Sequence, residues 1–169
     1  MNLKFEPPDI IPVGVALSVI MADQLSKLWI METFALHEER PVIQGLFSLV
    51  YVTNTGAAFG FLAGSRTWMR QAFFVGVAVA AIVIIILAYG HLKRQSRIFV
   101  YALGLIGGGA IGNLIDRLRL GSVVDFLDFY IGSHHWPAFN VADSAITVGV
   151  GLFLIGTLLQ HRAQAGEAG

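Results

Sequence analysis

Two aspartates near the ends of an apolar stretch are the residues of this sequence whose type and setting best suit chemistry. Asp125 and Asp143 lie in the segment V-V-D-F-L-D-F-Y-I-G-S-H-H-W-P-A-F-N-V-A-D, which starts at Val123. Burial disfavours the charged form of a carboxylate, and a second carboxylate nearby raises one of the two pKa values further. Such a pair can share one proton and perform acid and base catalysis together. We therefore predict that Asp125 and Asp143 form a catalytic dyad at a membrane surface.

The assignments of Asp125 and Asp143 to the dyad each have an alternative. Asp128 is a third acid in the same stretch, and on strand alternation Asp125 and Asp128 would face opposite sides, so only one would share a site with Asp143. Asn140 could cap the helix that follows, with Asp143 as an acid in the first turn that the helix dipole stabilises. Spacing alone leaves the capping and the catalytic interpretation of Asp143 open.

Further charged residues lie inside or beside apolar segments, where ionisable groups are costly and often functional. Asp23 and Lys27 stand at positions i and i+4, the favourable order for an ion pair on a helix, and a part in the site is the alternative. Asp116 has Arg117 and Arg119 beside it, which favours a structural salt bridge or hydrogen bond over direct chemistry.

The sequence lacks the residue patterns that other kinds of catalytic site require. His37 and Glu38 begin like the zinc-binding pattern H-E-x-x-H, but Pro41 takes the place of the second histidine. The sequence has no Cys, which excludes a disulfide framework and a thiol nucleophile. His134 and His135 are adjacent, which favours a surface loop that touches lipid headgroups at most. We expect no metal ion and no cofactor.

Composition indicates a membrane protein. Of 169 residues 56% are hydrophobic and only 13% are charged, far from the average of soluble domains. The formal net charge of zero gives no electrostatic reason to expect nucleic acid as a partner. No repeat or linker divides the chain, so we expect a single membrane-embedded domain over residues 1–169.

Four segments are long and apolar enough to cross a bilayer, and the fold class we predict is an all-α integral membrane protein with a small β-containing segment. The predicted spans are residues 10–30, 68–92, 98–117 and 141–160. Residues 31–66 start too polar to cross, then become rich in β-branched and aromatic types, so we expect a short strand or hairpin there. The small, polar tail after the last span is predicted to be mobile.

Orientation and packing follow from local composition. Basic residues crowd the short loop between the second and third spans, which marks it as cytoplasmic. With an even number of spans both termini are then cytoplasmic, and residues 31–66 and the dyad lie on the extracytoplasmic side. Gly104, Gly108 and Gly112 share one face of the third span, which is typical of closely packed membrane helices.

Several segments together resemble the bacterial lipoprotein signal peptidases, also called signal peptidase II. The matching segments are D-Q-L-S-K at 23–27, N-T-G-A-A-F at 54–59, G-G-A-I-G-N-L-I-D-R at 108–117, V-V-D-F at 123–126 and F-N-V-A-D-S at 139–144. The resemblance implies an intramembrane aspartyl endopeptidase of the bacterial inner membrane. Such an enzyme cuts the signal peptide from prolipoproteins, just before a cysteine that carries diacylglycerol.

The resemblance also assigns residues. It implies that Asp125 and Asp143 are the catalytic pair, in preference to Asp128, and that globomycin-type inhibitors occupy their site. It leaves the functions of Asp128, His134 and His135 open. The supporting polar and glycine positions that it implies are Asn54, Gly56, Asn113, Arg117, Asn140, Asp23, Lys27 and Asp116.

Two other functions remain compatible with buried acids and small residues. A proton-coupled carrier also uses intramembrane carboxylates, although it should show internal repeats around a midplane site. A non-catalytic assembly protein would depend on the face of Gly104, Gly108 and Gly112 and would tolerate loss of the aspartates.

Overall fold

Long apolar helices and a small antiparallel sheet make up the computed structural model, which describes residues 10–56 and 68–167. The helices are α1 (Ile10–Thr33), α2 (Trp68–Leu92), α3 (Arg97–Leu120) and α4 (Val141–Glu167). The strands are β1 (Glu39–Ile43), β2 (Phe47–Asn54), β3 (Val123–Ile131) and β4 (His134–His135).

All four predicted spans are helices, and each is long and apolar enough to cross a membrane. Ser96 caps the start of α3, because its side chain accepts a hydrogen bond from the backbone N–H of Ile98. Gly121 ends α3 in the left-handed conformation, with φ of 73°, and its N–H donates to the carbonyl of Arg117. Helix α4 continues to Glu167, beyond the predicted end of the fourth span at residue 160.

Glycines allow α1 and α3 to approach closely. A Cβ at Gly104 would lie 3.0 Å from the carbonyl oxygen of Pro12, and one at Gly108 would lie 2.8 Å from the carbonyl oxygen of Ala16. Side chains at these positions would therefore separate the helices. The prediction that these glycines form a packing face is confirmed, and α1 is the helix they contact.

The sheet has the strand order β1-β2-β3-β4 with antiparallel neighbours. The hairpin of β1 and β2 confirms the prediction for residues 31–56, while 57–66 lie outside the described residues. The segment of His134 and His135, predicted as a surface loop, instead belongs to a second hairpin of β3 and β4, which turns at Gly132 with φ of 61°. Phe47 of β2 and Phe129 of β3 are cross-strand partners whose ring centroids lie 4.7 Å apart. Such pairs stabilise a sheet, and this one holds β3 in place although its two residues are far apart in the sequence.

A small apolar cluster attaches the sheet to the helices. Val124 and Phe126 of β3 pack against Ile30 and Phe34 at the end of α1. Because successive side chains of a strand point to opposite faces, the residue between them, Asp125, points away from this cluster. The cluster therefore fixes where Asp125 lies relative to the helices.

Candidate active site

Asp125 is buried and faces a cavity between the sheet and the helices. Its Oδ1 accepts a hydrogen bond of 2.8 Å from Asn140 Nδ2, and its Oδ2 accepts one of 3.2 Å from Asn54 Nδ2. Asn54 at the end of β2 and Asn140 just before α4 therefore hold the two oxygens of this carboxyl group.

Asp143 lies in the first turn of α4, where it takes part in a reciprocal cap. The backbone N–H of Asp143 donates to Asn140 Oδ1 at 2.9 Å, and the N–H of Asn140 donates to Asp143 Oδ2 at 3.3 Å. This is the geometry of a capping box. The other oxygen, Oδ1, accepts a bond of 2.8 Å from Asn113 Nδ2. The predicted capping interpretation is confirmed, and Asp143 also faces the cavity.

The two carboxyl groups share a partner and a cavity. Asn140 binds Asp125 through its side-chain amide and Asp143 through its backbone N–H, so one residue spans both acids. The cavity has a volume of about 600 Å³. It is lined by Asn54, Gly56, Asn113, Arg117, Val123, Asp125, Trp136, Pro137, Ala138, Phe139, Asp143, Ser144, Ile146, Thr147 and Val148.

The environment of Asp125 favours its protonated form. Burial raises its pKa, and the negative charge of Asp143 raises it further, while hydrogen bonds from Asn54 and Asn140 act in the opposite direction. The result is a pKa of about 7 for Asp125. Interacting acids titrate as a pair, so near neutral pH the two carboxyl groups can hold one proton between them.

A buried ion cluster lies next to the carboxyl pair. Lys27 Nζ is 2.8 Å from Asp23 Oδ2 and 2.9 Å from Asp116 Oδ2, and all three side chains are at most 3% exposed. The predicted ion pair of Asp23 and Lys27 is confirmed. The structural salt bridge and hydrogen bond expected of Asp116 are confirmed, but its side chain faces α1 and pairs with Lys27 rather than with Arg117 or Arg119.

The same cluster holds the backbone beside each candidate acid. Asp23 Oδ1 accepts a hydrogen bond of 3.0 Å from the N–H of Ala142, and Asp116 Oδ2 accepts one of 3.1 Å from the N–H of Val124. Ala142 precedes Asp143 and Val124 precedes Asp125. Charges on α1 and α3 therefore position the first turn of α4 and the start of β3.

Gln24 is a member of this cluster that sequence reasoning missed. Its Nε2 lies within 3.2 Å of Asp23 Oδ2, Asp116 Oδ1 and the carbonyl oxygen of Gly112. The available signal was its place inside the segment D-Q-L-S-K, where a polar amide sits in an apolar helix.

Arg117 connects α3 to the end of β2. Its Nη2 donates to the carbonyl oxygen of Gly56 at 3.0 Å, and its guanidinium lies 4.4 Å from the ring centroid of Phe74. The N–H of Gly56 in turn donates to Asn54 Oδ1 at 2.9 Å. Arg117 therefore steadies the backbone next to Asn54, whereas the rest of the motif, residues 57–59, lies outside the described residues.

Asp128 lies on the other face of β3. It does not line the cavity, and its Oδ2 is 2.8 Å from His135 Nδ1. His134 and His135 form β4, so the prediction of a loop for them is wrong, although both are exposed as expected. Within residues 10–56 and 68–167, no three His, Asp or Glu side chains converge in a way that could hold a metal ion.

A wall of the cavity also escaped the sequence reasoning. Residues 136–139 run from β4 to the start of α4 and all line the cavity. The signal in the sequence was weak, because W-P-A-F has neither charge nor periodicity. Only the pairing of β3 with β4 shows where this segment must lie.

Comparison with known proteins gives consistent similarities. Residues 15–159 match the family described as "Signal peptidase (SPase) II". A protein of Ralstonia nicotianae named lipoprotein signal peptidase is 50% identical over 152 residues, covering 89% of this chain and 85% of its own. A protein of the same name from Geobacter sulfurreducens is 47% identical over 152 residues, covering 90% of this chain and 94% of its own.

Solved structures agree with the fold. A bacterial membrane enzyme determined by the in meso method at 2.3 Å resolution superposes with a TM-score of 0.78 at 31% identity, covering 89% of this chain and 88% of its own. A second, at 1.9 Å resolution, gives a TM-score of 0.74 at 32% identity, covering 87% of this chain and 92% of its own.

Proposed function

The chain belongs to the signal peptidase II family, whose members remove signal peptides from prolipoproteins, and we propose that it does so as an aspartyl endopeptidase with Asp125 and Asp143 as its catalytic pair. The observation that carries this proposal is that both carboxyl groups face one cavity and are bound by the same residue, Asn140. The carrier alternative finds no support, since the similarities are to peptidases.

The two acids have different tasks in the proposed reaction. Asp143 accepts N–H bonds from Asn113 and Asn140 at the start of a helix, where a negative charge is stabilised, so it is the base that takes a proton from a bound water. Asp125, with a pKa of about 7, holds the proton that polarises the scissile carbonyl. Attack by the water oxygen, with transfer of the Asp125 proton to the carbonyl oxygen, gives a tetrahedral diol.

Collapse of this diol completes the reaction. The C–N bond breaks, the leaving amine takes the proton that Asp143 received, and Asp125 regains its own proton as the new carboxylic acid forms. The catalyst is thus restored with one proton on the pair. No covalent acyl-enzyme arises, because water is the nucleophile.

Supporting residues hold the substrate and the acids in register. We assign the amides of Asn54, Asn113 and Asn140 to orienting the carboxyl groups, and Arg117 with Gly56 to shaping the opening where an extended peptide enters. Asp23, Lys27 and Asp116 position the backbone on either side. This assignment rests on the hydrogen bonds of 2.8 to 3.3 Å that join these groups.

Membrane placement completes the proposal. The chain is a multi-pass membrane protein, and the basic loop of Lys93, Arg94 and Arg97 predicts cytoplasmic termini and an extracytoplasmic site in the bacterial inner membrane. The signal helix and acyl chains of the substrate would stay in lipid while the bond before the lipid-modified cysteine enters the cavity. A globomycin-type inhibitor would occupy the same cavity.

Cleavage of a diacylglyceryl-modified prolipoprotein by the purified chain tests the proposal. Asp125→Asn and Asp143→Asn should each fold and insert but lose turnover, while Glu32→Gln, an exposed acid at the end of α1, should keep it. Turnover retained in either of the first two variants would exclude the dyad.

A further inference from the structure

The wall segment, residues 136–139, is positioned by its two ends. The N–H of Trp136 donates to the carbonyl oxygen of Phe129 at 2.8 Å, and the N–H of Phe139 donates to that of Leu127 at 3.1 Å. These bonds join the wall segment to β3. Between them lies Pro137, which lines the cavity and has no N–H to pair.

A bulge is visible in the strand register. Tyr130 pairs with His135 and Leu127 pairs with Phe139, so three steps along β3 face four steps along the returning chain. The extra residue leaves the middle of the wall segment without ladder bonds. Its position then depends on how firmly β4 is held at His135.

A side-chain contact holds β4 at His135, on the face of β3 that points away from the cavity. His135 Nδ1 lies 2.8 Å from Asp128 Oδ2, and the ring of His135 stacks on Tyr130 with centroids 4.8 Å apart. The Asp128 side chain is 8% exposed and that of His135 is 46% exposed. A buried carboxyl group needs a hydrogen-bond donor, and a bond to a charged acceptor is stronger than one between neutral groups.

The first hairpin, formed by β1 and β2, also holds Tyr130 through its hydroxyl group. Tyr130 Oη accepts a hydrogen bond of 3.3 Å from the N–H of Gly45 and lies 3.5 Å from Ser48 Oγ. The contact of His135 with Asp128 is therefore anchored to β2 as well as to β3, which makes it a rigid support for β4.

We propose that Asp128 and His135 are positioning residues of the peptidase, which hold the wall segment against the cavity and so determine how tightly the extended part of the substrate binds. Neither residue lines the cavity, so neither takes part in bond cleavage. The apolar groups of Trp136, Pro137 and Phe139 supply the surface on which substrate side chains pack. This inference rests on the proposed function of the cavity.

Kinetics of matched variants test the inference. His135→Phe keeps a ring for Tyr130 but removes the donor, and His135→Asn keeps a donor near the place of Nδ1 but removes the ring. His134→Phe is the control, because His134 is the neighbouring exposed residue of β4 and pairs with Ile131. All are assayed with a diacylglyceryl-modified prolipoprotein.

A split between KM and kcat is the expected result. In His135→Phe we expect KM to rise about threefold to tenfold with kcat nearly unchanged, which corresponds to the loss of one hydrogen bond. His135→Asn should recover most of the wild-type KM, and Asp128→Asn combined with His135→Phe should raise KM less than the product of the single effects. An unchanged KM in His135→Phe, or a fall in kcat alone, would overturn the inference.

Tryptophan fluorescence gives a test that does not depend on cleavage. The sequence has three Trp residues, so Trp29→Phe and Trp68→Phe leave Trp136 as the sole emitter. His135→Phe in this background should shift the emission maximum and alter acrylamide quenching, whereas His134→Phe should not. If the wild type failed to cleave any lipid-modified precursor, the proposed function would fall, and an unmoved Trp136 signal would separately overturn the positioning by His135.

Discussion

Lys27 Nζ lies 3.1 Å from Asn113 Oδ1, and this contact determines how the Asn113 amide is oriented. An ammonium group can only donate, so it must face the amide oxygen, which leaves the amide NH₂ to point at Asp143. A buried cation outside the cavity thus specifies that Asp143 receives a hydrogen bond rather than a lone pair. The ion cluster and the proposed catalytic pair are in this way one connected network.

Removal of the cation should destabilise the protein strongly. In Lys27→Met the buried acids Asp23 and Asp116 lose their common partner, and breaking a buried ion pair from one side costs about 3–5 kcal/mol. We expect a large fall in the thermal midpoint and in the yield of folded protein in detergent. Arg94→Met, at an exposed position of the basic loop, is the control.

Adding Asp116→Asn to Lys27→Met should restore part of the lost stability, because one uncompensated charge is then removed. A thermal midpoint of Lys27→Met equal to that of Arg94→Met would contradict the buried cluster.

Replacement of Asn140 separates capping from catalysis. Asn140→Ser keeps a side chain that can cap α4, whereas Asn140→Ala loses the cap at a cost of about 1 kcal/mol. Both lose the amide that binds Asp125 at 2.8 Å, so we expect kcat to fall about tenfold to a hundredfold in each. Thermal unfolding and steady-state kinetics on the same samples check this.

The informative comparison is between the two Asn140 variants. Both variants lose the amide bonds to Asn113 and to the carbonyl oxygen of Val124, so similar losses of kcat with a larger stability loss in Asn140→Ala would support the bridging function of the amide. Full activity in Asn140→Ser would mean that capping is all that this residue does.

Stability should depend on pH through Asp125. Its pKa is raised from 3.8 in the unfolded chain to about 7 in the folded protein, so between these values the folded state binds more protons. The free energy of unfolding should therefore fall as pH rises from about 4 to about 7 and level off above that. Asp125→Asn should flatten this slope, which thermal unfolding over a pH series can measure.

Activity should depend on the same proton. Because the proposed mechanism needs one proton on the carboxyl pair, kcat/KM should fall as pH rises through about 7, where Asp125 loses it. A rate that kept rising above pH 8 would show that the protonated carboxyl group is not required.

Local sequence predicted the helices well because their signal is local. Each span needs only a long run of apolar residues, and the cap formed by Asn140 and Asp143 needs only residues three apart. The same holds for Asp23 and Lys27, whose ion pair joins adjacent turns of α1. Spacing along the chain was therefore enough to propose these contacts, although it left other interpretations open.

Contacts between distant segments could not be read in this way. Asp116 has two arginines close by in the sequence, yet the rotation of α3 directs it at Lys27 of α1, a residue of the first span. The hairpin of β3 and β4 is stabilised by strand β2 and by the packing of Val124 on α1. Family resemblance selected Asp125 and Asp143 as the proposed pair, whereas the contacts of Gln24, Trp136 and Phe139 became visible only in three dimensions.

The close approach of α1 and α3 yields a last prediction, at Gly112. A Cβ there would lie 2.7 Å from Asp23 Oδ2, the oxygen that binds Lys27, so Gly112→Ala must displace this carboxylate. The displacement would pass to Ala142 and to Asn113 through the bonds that the cluster makes, and we expect a lower thermal midpoint together with a loss of kcat. Gly76→Ala is the matched control, because Gly76 lies in α2 with nothing within 4 Å of its Cβ position. Since alanine favours a helix over glycine by about 1 kcal/mol, the control should be neutral or slightly stabilising. If the two alanine variants behaved alike in unfolding and in cleavage, the tight contact between Gly112 and Asp23 would have no functional consequence, and the ion cluster could not be what positions the two acids.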